Sequence, residues 1–308
     1  MKVLCIASTD SANVGFLLSQ ALNSIGVESR AVAIFPAPRP EGLSAEEMTK
    51  YQIAKIAVDY DVIQFMHSTW IDLKIDLKDK LISVFHGGYK YRNTPKETAA
   101  FWNKKAGLQL VQTGDLLGLG VENEEWFLPP VDTDLLHPVD LINEKLKVLH
   151  CPSKPIKKGT EPFRKVMLQL SKDKNLKGKF TWEIGSKVNW KKNIHRMSMC
   201  DIYFDACLLK IKGNPYGFWG MASLEAAALG KVVVTHFAHK EKEYIERYGM
   251  HYLQVANDMK QLRERMLYLL NNPEEVSRLQ KETREWVVRN HSMSVVGNRL
   301  KELYEKYI

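Results

Sequence analysis

The segment "GMASLEAAALGKVVVTH", residues 220 to 236, sets one carboxylate, Glu225, in a run from Met221 to Leu229 that is otherwise apolar or small. Alanine and leucine on all sides favour a helix buried on nearly every face. A charge in such a helix costs several kcal/mol unless it is paired or meets a polar cavity. Glu225 is therefore read as looking into a ligand site, with a structural glutamate that caps a turn or pairs with a lysine as the alternative. Just before it, the stretch from Gly217 through Phe218, Gly220 and Ser223 to Leu224 sets loop and helix-start amides where glycine permits close approach of an anion.

Histidines and small turns supply the other candidates. His86 ends the apolar run "LISVFHG" ahead of two glycines, which predicts an imidazole projecting into an open site. His67 ends "DVIQFMH", and Arg92 follows in "HGGYKYR" as a possible acceptor or phosphate contact, or else a solvated surface arginine. "SANVG", residues 11 to 15, follows the first apolar run as a phosphate turn would, with Asn13 and Gly15 as its candidates. It is not GxGxxG, so a plain helix-starting turn competes with it. The pair Asp132 and Asp134 in "DTD" suggests a divalent cation, but it sits in a proline-punctuated linker and no His/Asp/Glu cluster accompanies it. No metal is expected, and Asp132 is read as fixing the domain connection.

Ten short apolar runs must position these groups: residues 2–8, 29–35, 61–67, 81–87, 108–113, 146–153, 179–185, 201–207, 231–236 and 251–256. Continuous rather than alternating hydrophobicity means strands covered on both faces, and the helix-like stretches between them imply parallel sheets with right-handed crossovers. Ten such strands are too many for one compact open sheet, so the class is α/β with two Rossmann-like, doubly wound domains facing a cleft. The divide is placed in "LPPVDTDLLHPVDLINEK", residues 128 to 145. That gives 1–140 and 141–290, with helical periodicity from Pro273 to the end and the last helix, about 291–308, returning to the first domain. "SAEE", residues 44 to 47, reads as a capping box that starts a helix. In such sheets ligands bind beyond the carboxyl ends of the strands, where the residues named above fall.

The 308 residues carry a net charge of +8, and from Lys145 to Lys192 there are 14 Lys or Arg against three Asp or Glu. The balance suits an anionic partner such as a phosphate ester, an acidic membrane surface or nucleic acid, and it equally serves solubility. Four cysteines without CxxC spacing fit reduced thiols in a cytoplasmic setting. "MKVLCIASTD" turns polar too soon for a signal peptide, and no apolar stretch approaches a membrane span, so any membrane contact is peripheral.

The block "CDIYFDACLLKIKGNPYGFWGMASLEAAALGKVVVTH" resembles the donor-site block of GT-B glycosyltransferases, particularly glycosyltransferase family 4. "HCPSKPIKKGTE", "FLPPVDTDLLHP", "HGGYKYR" and "REWVVRNHSMSVVGNRLKELYEKY" look like further segments of that family in the right order. The resemblance implies a retaining, metal-independent hexosyltransferase that uses a nucleotide-diphosphate-sugar as donor substrate and no cofactor. The second domain would hold the donor, and the first a glycan, lipid-linked or other hydroxyl acceptor, with a nucleic-acid acceptor left open by the charge.

By the same resemblance Glu225 holds the ribose hydroxyls and Lys158 the phosphates. Lys154 stands near the place of the family's arginine, while His86 lies near the donor sugar as the catalytic candidate. Asn13, Gly15, His67 and Arg92 then lie on the acceptor or phosphate side. The family carries a second glutamate eight residues before the first; here that position is Gly217, leaving Asn214 or Tyr216 as the sugar contact. Two rival readings are an epimerase acting on a nucleotide-sugar and a binding protein without turnover.

Overall fold

Each of the ten apolar runs forms a strand. The computed structural model describes residues 1–140, 143–185, 189–207, 210–211, 214–215, 219–237 and 239–308. The chain divides into two units, Met1–Val131 with His291–Ile308, and Asp132–Asn290. The divide falls ahead of residue 140, because the linker is bound into the second unit: Arg284 donates to the carbonyls of Thr133, Leu136 and Ala228 at 2.7 to 2.9 Å. Asp132 Oδ1 caps the turn that follows it, accepting from the amides of Asp134 and Leu135.

Unit 1 holds a seven-stranded parallel sheet of β1 (Lys2–Thr9), β2 (Glu28–Phe35), β3 (Glu46–Glu47), β4 (Val62–Phe65), β5 (Leu81–His86), β6 (Leu108–Val111) and β7 (Glu124–Trp126). Its order is β3-β2-β1-β4-β5-β6-β7, so the winding reverses between β1 and β4, where Ile6 pairs with Phe65. Leu4, Ile6, Val32, Ile63, Phe65, Val84 and Trp102 form its core. Helix Met293–Tyr307 presses onto helix Val14–Asn23 so closely that a β-carbon at Gly297 would collide with the Ala21 carbonyl. Tyr304 on that helix donates to Gln64 Oε1 at 2.9 Å under the sheet.

Unit 2 winds β8 (Leu146–His150), β9 (Phe180–Ile184), β10 (Ile202–Phe204), β13 (Val232–Thr235) and β14 (Gln254–Val255) into a parallel sheet of order β14-β13-β10-β8-β9. The small antiparallel pair β11 (Lys210–Ile211) and β12 (Asn214–Pro215) stands apart from it. Here the reversal lies between β8 and β10. The core gathers Val148, Phe163, Ile202, Phe204, Val234 and Met266, with the Phe163 and Phe204 rings stacked 4.6 Å apart.

The box expected at Ser44 to Glu47 does not start a helix. Glu46 and Glu47 join the sheet edge as β3, and the helix begins at Lys50, capped reciprocally by Thr49 and Gln52. Arg30 on the neighbouring strand pairs with Glu46, which ties that residue to the sheet. All four cysteines are free thiols, and burial raises the pKa of each. No described helix is long and apolar enough to cross a membrane.

Candidate functional site

In unit 2 the residues after β8 and β10 meet at the point where the winding reverses, which is where open α/β sheets bind ligands. The chain leaves β8 through Cys151–Pro152 into the short helix Pro155–Lys158, and left-handed Gly159 then turns it into helix Thr160–Leu170. Lys158 Nζ lies 2.7 Å from Oδ1 of Asp205, which directly follows β10 and is only 2% exposed. Asp205 Oδ2 accepts from Ser223 Oγ at 2.9 Å and from the Gly220 amide at 3.3 Å. Burial alone would push the Asp205 carboxyl up, but the Lys158 ammonium and these donors hold it below the usual carboxylate range. A cation, an anion and the start of helix Met221–Ala228 thus meet in one cluster.

Glu225 lies one turn further along that helix and is 8% exposed. Its Oε1 accepts a 2.7 Å hydrogen bond from the indole Nε1–H of Trp190, at the start of helix Trp190–Ser198. The indole is a donor that cannot neutralise the carboxylate, and it fixes the orientation of the side chain. Ser223 is fully buried on Asp205, and Leu224 packs in the core. Lys154 is exposed beside the short helix, and its carbonyl accepts from the Lys158 amide. Tyr216, Gly217, Phe218 and the side chain of Asn214 lie outside the described residues.

The expectation for His86 is not met, since the imidazole is fully buried and does not project into an open site. Ser68 Oγ sits 2.8 Å from Nδ1, Gln109 Oε1 lies 2.9 Å from Nε2, and the Tyr91 ring packs 4.6 Å away. Desolvation outweighs the Gln109 bond and lowers its pKa to about 4, so the ring is neutral at pH 7. A structural twin exists in unit 2: His150, with its pKa also lowered to about 4 by burial, bonds the Phe204 carbonyl and Thr160 Oγ1. Arg92 is likewise turned inward, forking onto Asp115 at 2.6 and 3.2 Å and reaching the Gly88 carbonyl and Thr113 Oγ1.

The turn after β1 differs from the expected phosphate cradle. Asp10, 1% exposed, accepts from the amides of Gly15 at 2.8 Å and Phe16 at 3.0 Å, so the first turn of helix Val14–Asn23 already holds an anion. Asn13 is buried, with Nδ2 donating to the Leu43 carbonyl. His67, just beyond β4, places Nδ1 3.3 Å from the Gly87 carbonyl and Nε2 3.6 Å from Asp10 Oδ1.

Asp10, Asp205 and Trp190 are site residues that the sequence reading passed over. The rule that flagged Glu225, an acid in oily surroundings, applies equally to Asp205 in "DIYFDAC". No signal marks Trp190. Among the described residues no group of three or more His, Cys, Asp or Glu gathers as a metal-ligand set.

Residues 157–286, which include Lys158, Asp205, Ser223 and Glu225, match the family described as glycosyl transferases group 1. A search of curated protein sequences finds no match. Among solved structures, sucrose-phosphate synthase from Thermosynechococcus elongatus superposes with a TM-score of 0.67 at 12% identity, over 99% of both chains. Anabaena HepE in complex with UDP-glucose gives 0.67 at 12% identity over 99% of this chain and 100% of that one. An α-glucosyltransferase bound to UDP and a 13-mer DNA gives 0.63 at 12% identity over 99% of both. Its two doubly wound units give the chain the GT-B fold of these structures, and residues 157–286, within its second unit, match the group 1 glycosyl transferase family.

Proposed function

We propose that this protein moves a hexosyl group from a nucleoside-diphosphate-sugar to an acceptor hydroxyl, with retention of anomeric configuration and without a metal ion. The observation that carries this reading is the placement of Lys158, Asp205 and the start of the Glu225 helix together at the switch point of unit 2. Departure of a nucleoside diphosphate concentrates negative charge that a lysine and helix amides stabilise. Lys158 is the group for that task, kept in place by Asp205. Glu225, oriented by Trp190, accepts hydrogen bonds from the ribose hydroxyls of the donor. Retention and metal independence follow from the resemblance to group 1 enzymes. His86 and Arg92 have no place in this chemistry, since their polar groups serve the interior of unit 1.

The Anabaena complex makes UDP-sugars the first donors to try. The test is a thermal-shift screen against UDP-, GDP-, ADP- and dTDP-sugars, repeated with Glu225→Ala. A nucleotide-dependent rise that disappears in the variant is the expected result. A rise of equal size in the variant overturns the assignment of Glu225. Product anomers read by NMR then test retention, and binding without transfer to any acceptor or to water would mark a binding protein instead of an enzyme.

A further inference from the structure

Among the described residues the two main sheets have four edge strands, and three of them are short: β3 and β14 have two residues each and β7 has three. The fourth, β9, runs for five, Phe180–Ile184, with the sequence "FTWEI". Aromatic and β-branched residues of this kind favour strands. Among the described residues β9 pairs only with β8. That ladder uses the Lys179 carbonyl, which accepts from the Leu146 amide, and the Gly185 amide, which donates to the His150 carbonyl. Backbone groups alternate sides along a strand, so the amides and carbonyls of Phe180, Trp182 and Ile184 turn to the outer edge. Short or covered edges resist strand addition, whereas a longer one of this composition invites it.

One face of β9 is bare as well. Phe180, Trp182 and Ile184 pack toward the core, where the Trp182 ring meets Phe163 edge-on at 6.1 Å. Thr181 and Glu183, on the opposite face, are exposed, and the neighbouring helix Trp190–Ser198 buries only Met197. A pocket of about 480 Å³ runs along this face, with Leu149 and Met199 as its apolar lining and Lys147, His195 and Arg196 as its basic lining. Glu183, the one acid there, is already taken by Arg196 Nε at 3.6 Å.

The approach to the strand is basic. Lys172, Lys174, Lys177 and Lys179 are all exposed, and none of them pairs with a described carboxylate. Asp173, between them, caps its own turn by accepting from the Asn175 amide. Lys147 stands opposite Thr181 in the ladder and adds a fifth lysine. A second copy of this chain on β9 brings the same lysines again, and like charges oppose that pairing. A nucleic acid cannot continue a backbone ladder. An extended peptide with acidic side chains answers both the open edge and the charge.

We propose that β9 docks an acidic, extended segment of another protein, which adds as a strand beside Phe180–Ile184 and sets its carboxylates against Lys147, Lys177 and Lys179. Main-chain hydrogen bonds to Phe180, Trp182 and Ile184 hold the segment, and an apolar residue in it enters the groove beside Leu149 and Met199. The inference concerns the outer edge of unit 2 and does not depend on the transferase reading.

The test adds fluorescein-labelled probes to the full chain and reads anisotropy, with backbone amide exchange followed by NMR. One peptide alternates valine and glutamate, a second alternates valine and lysine, and a third repeats the first with its backbone amides methylated, which prevents a ladder. A single-stranded oligonucleotide is the fourth probe. The acidic peptide should bind most tightly, lose affinity as salt rises, and slow exchange at Phe180, Trp182 and Ile184 while leaving the β3 amides unchanged. The double variant Lys177→Glu, Lys179→Glu changes only exposed side chains, so it should keep the parent's melting temperature and weaken that binding by about 10-fold or more. Trp182→Pro removes an outward amide at an edge position and should abolish it. If loss of the indole unfolds that variant, the methylated peptide asks the same question from the other partner. The proposal is overturned by any of four results: no binding of the acidic peptide, equal binding of its methylated form, tighter binding of the oligonucleotide, or undiminished binding in the lysine variant. A dimer of the peptide-free protein whose β9 amides are protected from exchange overturns it too, because the edge then belongs to a second copy.

Discussion

In both sheets a strand at the switch point is followed by a buried aspartate that receives the start of the next helix. In unit 1 it is Asp10, receiving the amides of Gly15 and Phe16; in unit 2 it is Asp205, receiving the Gly220 amide and Ser223 Oγ. The difference lies in the third partner. Asp205 has an ammonium, Lys158, at 2.7 Å, whereas Asp10 has a histidine nitrogen at 3.6 Å. The same backbone device therefore stands beside a lysine ammonium in one unit and beside a histidine ring in the other.

The largest expected effect tests the cation. Lys158→Met leaves Asp205 buried without its counter-ion, which should cost about 3–5 kcal/mol of stability in urea unfolding and abolish donor binding. Adding Asp205→Asn should recover most of the stability and none of the binding. Recovery of binding in the double variant would show that Lys158 serves only Asp205.

Acid should strain both units. His86 and His291 in unit 1 and His150 in unit 2 have pKa values lowered from 6.5 to about 4 by burial, and burial also lowers that of His251 in unit 2. The unfolded chain binds their protons first as pH falls through 6.5, so stability is full above that value and is lost down to about pH 4. By about pH 5 His86, His150 and His291 should each have removed about 2 kcal/mol. Hydrogen exchange at two pH values, read separately for β5 and β8, checks the sign in each unit.

Glu225→Gln keeps an oxygen for the Trp190 indole and loses the charge, so donor affinity should fall by about 10-fold or somewhat more, while Glu225→Ala should lose more. Calorimetric titration with UDP-glucose measures both. The smallest effects compare the two buried histidines. Ser68→Ala and Thr160→Val each remove one hydroxyl partner, from His86 and His150 respectively, and each should cost about 1 kcal/mol in thermal unfolding. A much larger loss at Ser68 would give His86 a role beyond packing.

The sheets were legible because a strand covered on both faces must be apolar along its whole length, and a helix must bridge each parallel pair. That same property hid the orientation of His86. Every residue of β5 from Ile82 to His86 is buried, so no alternation reveals which way the ring points. The "HGG" signature located the strand end correctly and said nothing about Ser68 or Gln109, which meet the ring from β4's turn and from β6. Glu225 stood out because its helix is otherwise oily. Asp205 and Asp10 were harder to see because an acid at a strand end also reads as an ordinary turn residue. The "SAEE" box failed for another reason: Glu46 is held by Arg30 across the sheet edge, and "TKYQ", a second box, starts the helix instead.

The fit of Gly297 against Ala21 has a consequence for biosynthesis. A chain leaving the ribosome delivers residues 132–290 in full before the helix that completes the outer unit has emerged. The inserted unit is then free to mature first, while the earlier-made sheet waits with its Val14–Asn23 helix uncovered. Crowding at Gly297 should therefore surface as poor yield of newly made protein more than as a defect in the donor pocket.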